Sequence, residues 1–137
     1  MNQTDVATTL TSVIQQIIAA HTLYTLAVEQ ENLSTIDYAT QDDPFLKIEI
    51  RLMSADQMDL ADRPRVEQWG QLWLSAVCKA GTGTAKAKAL LDFATPYFEL
   101  KTLGGVHCQA VAAQAGKEIR GLWVQPAIVN FYCQRVI

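Results

Sequence analysis

The chain has 137 residues, half of them apolar, with 14 acidic and 11 basic side chains and a formal net charge of −3. That length fits one domain whose core needs neither disulfides nor a structural metal. The acidic balance excludes a protein that grips nucleic acid through a general basic excess, and no apolar run is long enough to span a bilayer.

The first element is an amphipathic helix. Val6, Leu10, Val13, Ile14, Ile17 and Ile18 recur with the period of a single buried stripe. Asn2 or Thr4 can cap it, and Asp5 suits the positive end of its dipole. Asp5 with no early lysine or arginine, and Gln15 and Gln16 inside the apolar stretch, argue against a signal peptide. Helical patterning fades near His21. Leu23 to Val28 reads as a short strand, and the polar, aperiodic stretch from Glu29 to Pro44 reads as a loop.

The clearest strand follows. Leu46, Ile48, Ile50 and Leu52 alternate with Phe45, Lys47, Glu49 and Arg51, giving one buried and one charged face. Ser54 to Arg65 is polar and reads as a long loop joining two strands. Loops of that length often carry function. Asp56, Asp59, Asp62, Arg63 and Arg65 are therefore the candidate assembly-contact residues. Val66 to Lys79 is a long strand with apolar residues on both faces, which places it centrally or at an interface.

Ala80-Gly81-Thr82-Gly83-Thr84 breaks that strand and leads into a second helix. Ala87, Leu90, Leu91, Ala94 and Phe98 form its apolar face, with Thr82 or Thr84 as N-cap. Pro96 ends it near Ala94 or Thr95. Gly104-Gly105 makes a turn. Val106–Gln114 and Leu122–Arg135 are two closing strands, joined around Ala115-Gly116-Lys117-Glu118. Pro126 calls for a bulge or an edge position. The sum is an α+β domain: a four-stranded, mainly antiparallel sheet with two helices packed on one face.

The residues give no catalytic set, and the reading assigns no cofactor and no metal. Gly81 to Lys88 has glycines before a helix but lacks the phosphate-loop spacing, so it reads as a capped turn. His107 and Cys108 are neighbours on a strand and point to opposite faces. Cys78, Cys108 and Cys133 have no ligand spacing and read as core residues in a reducing compartment. The aspartates of Asp42-Asp43 and of the Asp56, Asp59, Asp62 group lack a calcium-loop spacing and read as solvated. His21 reads as a helix-end residue. Trp69, Trp73 and Trp123 read as core or interface residues rather than base-stacking platforms.

From Pro44 onward the chain resembles the tail-terminator-like family of long-tailed bacteriophages, the minor tail protein U class and its uncharacterised phage relatives. The matching stretches are PFLKIEIRLM, WGQLWLSAVCKAGTGTAKAKALLDFATPYF and LGGVHCQAVAAQAGKEIRGLWVQPAIVNFYCQ. The family runs a strand into a glycine-rich turn, an alanine-rich helix and two closing strands. Ala80 departs from the pattern, standing where the family tends to have proline. The resemblance implies a structural protein and no enzyme. It implies a ring, possibly of six copies, that caps the tail tube and joins it to the head. The implied partners are other copies of the chain, the tail tube protein and the head–tail connector protein, with no nucleic-acid specificity and no membrane. The subunit would occupy the bacterial host cytoplasm during assembly and then the virion tail, and it can be monomeric when isolated.

The low share of charged residues, 18%, agrees with a surface covered by other copies. A different class remains open: a small dimeric ligand-binding or regulatory α+β module without catalysis, which needs an apolar pocket with a few polar groups. An enzyme using His107 or a cysteine ranks last.

Overall fold

A computed structural model describes residues 3–30, 42–57, 65–81 and 84–136. Helix α1 spans Gln3–Ala20. Its stripe of Val6, Leu10, Val13, Ile14 and Ile17 is buried, with Ile14 at 0% exposure. Thr4 lies within the helix rather than capping it, and Asn2 falls outside the described residues. The helix closes where His21 N donates to Ile17 O at 3.0 Å.

The expected strand over Leu23–Val28 shrinks to β1, Val28–Glu29, which runs parallel to β2, Phe45–Gln57. Leu23 is 87% exposed and lies off the sheet. Of the stretch read as a loop, Glu29 belongs to β1, and residues 31–41 lie outside the described residues.

Strand β3, Arg65–Lys79, is the axis of the fold. It pairs antiparallel with β2 from Phe45↔Val77 to Gln57↔Val66, with a bulge between Leu52 and Ala55. The expected Ser54–Arg65 loop is thus partly sheet. Residues 54–57 continue β2, Arg65 begins β3, and only 58–64 lie outside the described residues. On its other side β3 pairs with β7, Leu122–Val136, along its whole length.

Helix α2 covers Ala85–Ala94 and passes into a 3₁₀ turn, Thr95–Tyr97, where Pro96 cannot continue the α-helical ladder. Strands β4 (Thr102–Leu103), β5 (Val106–Ala113) and β6 (Lys117–Ile119) complete the chain.

The expected four-stranded, mainly antiparallel sheet is overturned. The sheet has seven strands in the order β1-β2-β3-β7-β5-β4, with β6 also on β7, and it is mixed because β1 and β2 are parallel. It is curled, and it dominates the fold. Beyond the shortened β1, the missed strands β4 and β6 hold two or three residues each, too few to show a two-residue period.

Pro126 is neither at an edge nor in a bulge of its own strand. It sits opposite Ser75 in the continuous β3–β7 ladder. Its carbonyl accepts from Gln114 N at 3.1 Å. Its nitrogen faces the same way, toward the break between β5 and β6, where no ladder bond is lost.

Strand alternation sorts the sheet into two faces. Leu46, Ile48, Leu72, Leu74, Ala127 and Val129 point to one face and form one buried cluster with the stripes of α1 and α2. Cys78, Cys108 and Cys133 belong to the same cluster. Gly70 sits beneath Phe131, where a Cβ would come within 2.5 Å of the ring. The opposite face carries neither helix. Among the described residues no helix is long and apolar enough to cross a membrane.

Candidate functional site

The face without helices holds a trough of about 970 Å³. Odd-numbered residues of β2 and β3 and even-numbered residues of β7 build it, because the three strands are in register and alternate together. Phe45, Val77, Leu122, Val124, Pro126 and Trp73 give it an apolar floor. Phe45 and Val77 are buried at its base, while Trp73, Leu122 and Val124 remain partly exposed.

The rim is cationic. Five of the chain's 11 lysines and arginines line the trough: Lys47, Arg51, Lys79, Lys117 and Arg120. Glu49 is the carboxylate among the lining residues, and it is already engaged. Arg51 Nε and Nη2 donate to its two oxygens at 2.9 and 3.0 Å. That hydrogen bonding holds the Glu49 carboxyl below its ordinary range. The same guanidinium lies 4.2 Å from the centre of the Trp73 ring, a cation–π contact. Lys79 Nζ donates to Asp42 at 2.7 Å and holds that carboxyl below its ordinary range. Lys47, Lys117 and Arg120 make no ion pair with another described residue.

The β6–β7 hairpin forms one wall. Its two-residue turn, Arg120-Gly121, has φ of 49° and 79°, between Ile119 and its partner Leu122. Turns with positive φ at both central residues favour Asn-Gly, and an L-residue with a Cβ there costs about 1–2 kcal/mol. Arg120 borders the trough.

Beyond the trough the same face carries an aromatic row. His107 stacks on Tyr132 with ring centres 4.8 Å apart, and Tyr132 meets Trp69 at 5.0 Å. Trp73 Nε1 donates to Gln71, whose amide donates to Asn130, so a polar belt separates the row from the trough. Trp123, in contrast, points to the helix-covered face opposite Cys78.

The residues expected to form one contact loop are placed differently. Asp56 is exposed on β2 opposite Glu67, and Arg65 is exposed on β3 opposite Val136. Asp59, Asp62 and Arg63 lie outside the described residues. Asp56 and Arg65 stand at the end of the β2–β3 pair remote from the trough. The trough itself was missed because Lys47, Glu49 and Arg51 have the alternation of an ordinary wet face. Only the register across four strands gathers them with Trp73, Val124 and Lys117.

The other motifs resolve locally. Thr84 occupies the N-cap position of α2 without a side-chain cap bond, and Thr82 and Gly83 lie outside the described residues. His107 and Cys108 point to opposite faces, as alternation requires. Burial pushes the Cys108 thiol up to about 11, the reverse of a reactive thiolate. His21 Nδ1 meets Tyr24 O at 3.1 Å, and its ring packs edge-on against Tyr24 and Phe93. Tyr24 Oη donates to Pro44 O at 2.9 Å; burial, then the nearby Asp43 charge, push its pKa up to about 12. No group of three or more potential metal ligands occurs among the described residues.

No family model matches the chain, and no curated protein matches it in sequence. The fold does recur among solved structures. One chain superposes with a TM-score of 0.73 at 16% identity, over 98% of this chain and 97% of its own. At that identity the likeness shows a shared fold and carries no function with it.

Proposed function

We propose that the chain is a structural assembly subunit of the phage tail-terminator type. Copies close into a ring that caps a tail tube and joins it to the head. The partners are then other copies of the chain, the tube protein and the connector, met in the host cytoplasm and retained in the virion tail. The observation that carries the reading is the helix-free sheet face. It presents Trp73, Trp69, Tyr132 and Arg51 together with a partly exposed apolar floor, and aromatic residues and arginine are the types enriched in protein interfaces. The sequence resemblance from Pro44 onward supports the same reading. Deleting the gene from the phage or prophage that carries it tests this. Tails seen by electron microscopy should lack a defined length and fail to join heads; particles of normal length with heads attached would overturn the proposal.

One observation favours a second reading, a dimeric ligand-binding module. A volume of about 970 Å³ lies within the range of small-molecule sites, whose pockets are mostly apolar with a few placed polar groups. A particle of two copies that binds a small anionic, partly apolar compound in the trough would decide for it.

A further inference from the structure

We propose that the trough of a single copy is a binding site for a small amphipathic anion, an apolar body that carries one carboxylate or phosphate group. This inference sharpens the ligand reading. It does not depend on copies assembling, because every lining residue belongs to one chain.

Charge selects the sign of the ligand. The lining holds five cations and the carboxylate of Glu49, in a chain whose net charge is −3. Two of the cations are matched. Arg51 holds Glu49, and Lys79 holds Asp42 from outside the lining. Lys47 acts on Glu49 only through space, and Lys117 and Arg120 have no ion pair among the described residues. The neighbouring carboxylates face elsewhere. Glu118 alternates away from the trough with its partner Trp123, and Asp43 borders a separate cavity beside Tyr24. Lys47, Lys117 and Arg120 therefore line the trough in excess of its acidic groups.

Placement selects the apolar body. Lys117, Val124, Val77 and Phe45 are register partners in one row across β6, β7, β3 and β2. Pro126, Ser75 and Lys47 form the next row. Lys117 and Lys47 thus stand on opposite sides of the floor, three strand spacings or roughly 14 Å apart across the strands. Between them the floor is apolar except for the Ser75 hydroxyl. A bare inorganic anion would leave that floor wet, whereas an apolar body covers it and gains from its burial. A mostly apolar site with a few placed polar groups is the usual design for such a ligand, and about 970 Å³ holds one. The head group meets Lys117 and Arg120, the two cations of the β6–β7 hairpin, and the body lies on Val124, Val77 and Phe45.

The test is calorimetry on the full chain, dilute enough to be a single copy, with decyl probes below their micelle concentrations. Decanoate and decyl phosphate should bind one to one, at least about tenfold more tightly than decanol, decyltrimethylammonium or inorganic phosphate. The tighter of the two anions names the head group. Added salt should weaken both, because part of the attraction is screened charge. Lys117→Glu/Arg120→Glu should weaken them about tenfold or more. Lys86→Glu/Lys88→Glu makes the same change of net charge on exposed positions of α2 and should leave both affinities unchanged. On the parent chain, backbone NMR shifts are expected at Ser75, Val77, Lys117 and Val124.

Equal binding of decanol or of decyltrimethylammonium would overturn the proposal. So would an equal loss in the α2 variant, or shifts confined to the cavity around His21 and Phe93. Capture by phosphatidylglycerol vesicles without binding of the free anions would overturn it too, since the face would then read a membrane surface. Failure here is distinguishable from failure of the assembly reading. Rings formed by a chain with no affinity for either anion sink this inference and leave the ring standing. An anion held one to one by a chain that never forms rings does the reverse.

Discussion

The two faces of the central sheet come from the same strands by strict alternation, yet they are finished in different ways. On one face Leu46, Ile48, Leu72, Leu74 and Val129 meet α1 and α2 and disappear from solvent. On the other, residues one step along the same strands leave Trp73, Leu122 and Val124 partly exposed and surround them with cations. A sheet that needed only a core would have a plain polar second face. Phe45 and Val77 there are buried, but the partly exposed aromatic, aliphatic and basic side chains around them are the ground on which assembly is proposed. The comparison predicts that changes on the covered face destroy the fold, while changes on the open face spare the fold and alter association.

The largest effect is expected at Ile14, which is fully buried in the covered face. Ile14→Asp buries a carboxylate without a partner, at a cost that approaches the whole stability of a domain, about 5–15 kcal/mol. Far-UV circular dichroism and a thermal melt should show no cooperative folding. A normal melt would mean that α1 does not cover the sheet. Next comes Gly70, where a Cβ would collide with the Phe131 ring at 2.5 Å and crowd Arg51 O at 3.0 Å. Gly70→Ala should cost about 1–3 kcal/mol by urea denaturation, and adding Phe131→Leu should return part of it. An unchanged midpoint would contradict the close packing of β3 on β7.

At Arg120 the sign reverses. Asn tolerates the positive φ of this turn better than Arg does. Arg120→Asn should therefore raise stability by about 0.5–1 kcal/mol while weakening association. A loss of stability would show that the arginine is there for the fold. The smallest effect is at Tyr24, whose pKa is raised to about 12 from an ordinary value of 10.0. The folded state prefers the protonated phenol, so this contribution is complete below pH 10 and fades as pH rises toward 12. Melts across that window should show stability falling with pH, with a shallower fall in Tyr24→Phe. Parallel curves for the two proteins would mean that the phenol is not held in its buried form.

The sequence made the covered face legible because both of its periods are long and clean. Most of the α1 stripe, Leu46 and Ile48 of the alternation, and Ala87, Leu90, Leu91 and Ala94 of α2 are buried as read. Ile50 and Leu52 are only partly buried, Phe45 is buried on the other face, and Phe98 is buried beyond the end of α2. The open face was not legible, since its basic residues come from strands far apart in sequence and converge only through register. The Ser54–Arg65 stretch was misread for a related reason. Residues 53–57 of β2 are exposed on both faces, and a strand wet on both sides has the composition of a loop. Pro126 misled because the relief it needs comes from a gap in its neighbour, between β5 and β6, and not from its own strand.

The central claim is that the open face is a self-assembly surface, and particle mass measured against concentration tests it most directly. The parent chain should pass from a single copy to a closed ring as concentration rises, with annular particles in negative stain. Val124→Asp, on the trough floor, should remain a single copy and lose less than about 1 kcal/mol of stability. A parent chain that stays a single copy at every concentration, that stops at a two-fold dimer, or whose rings survive Val124→Asp would contradict the account.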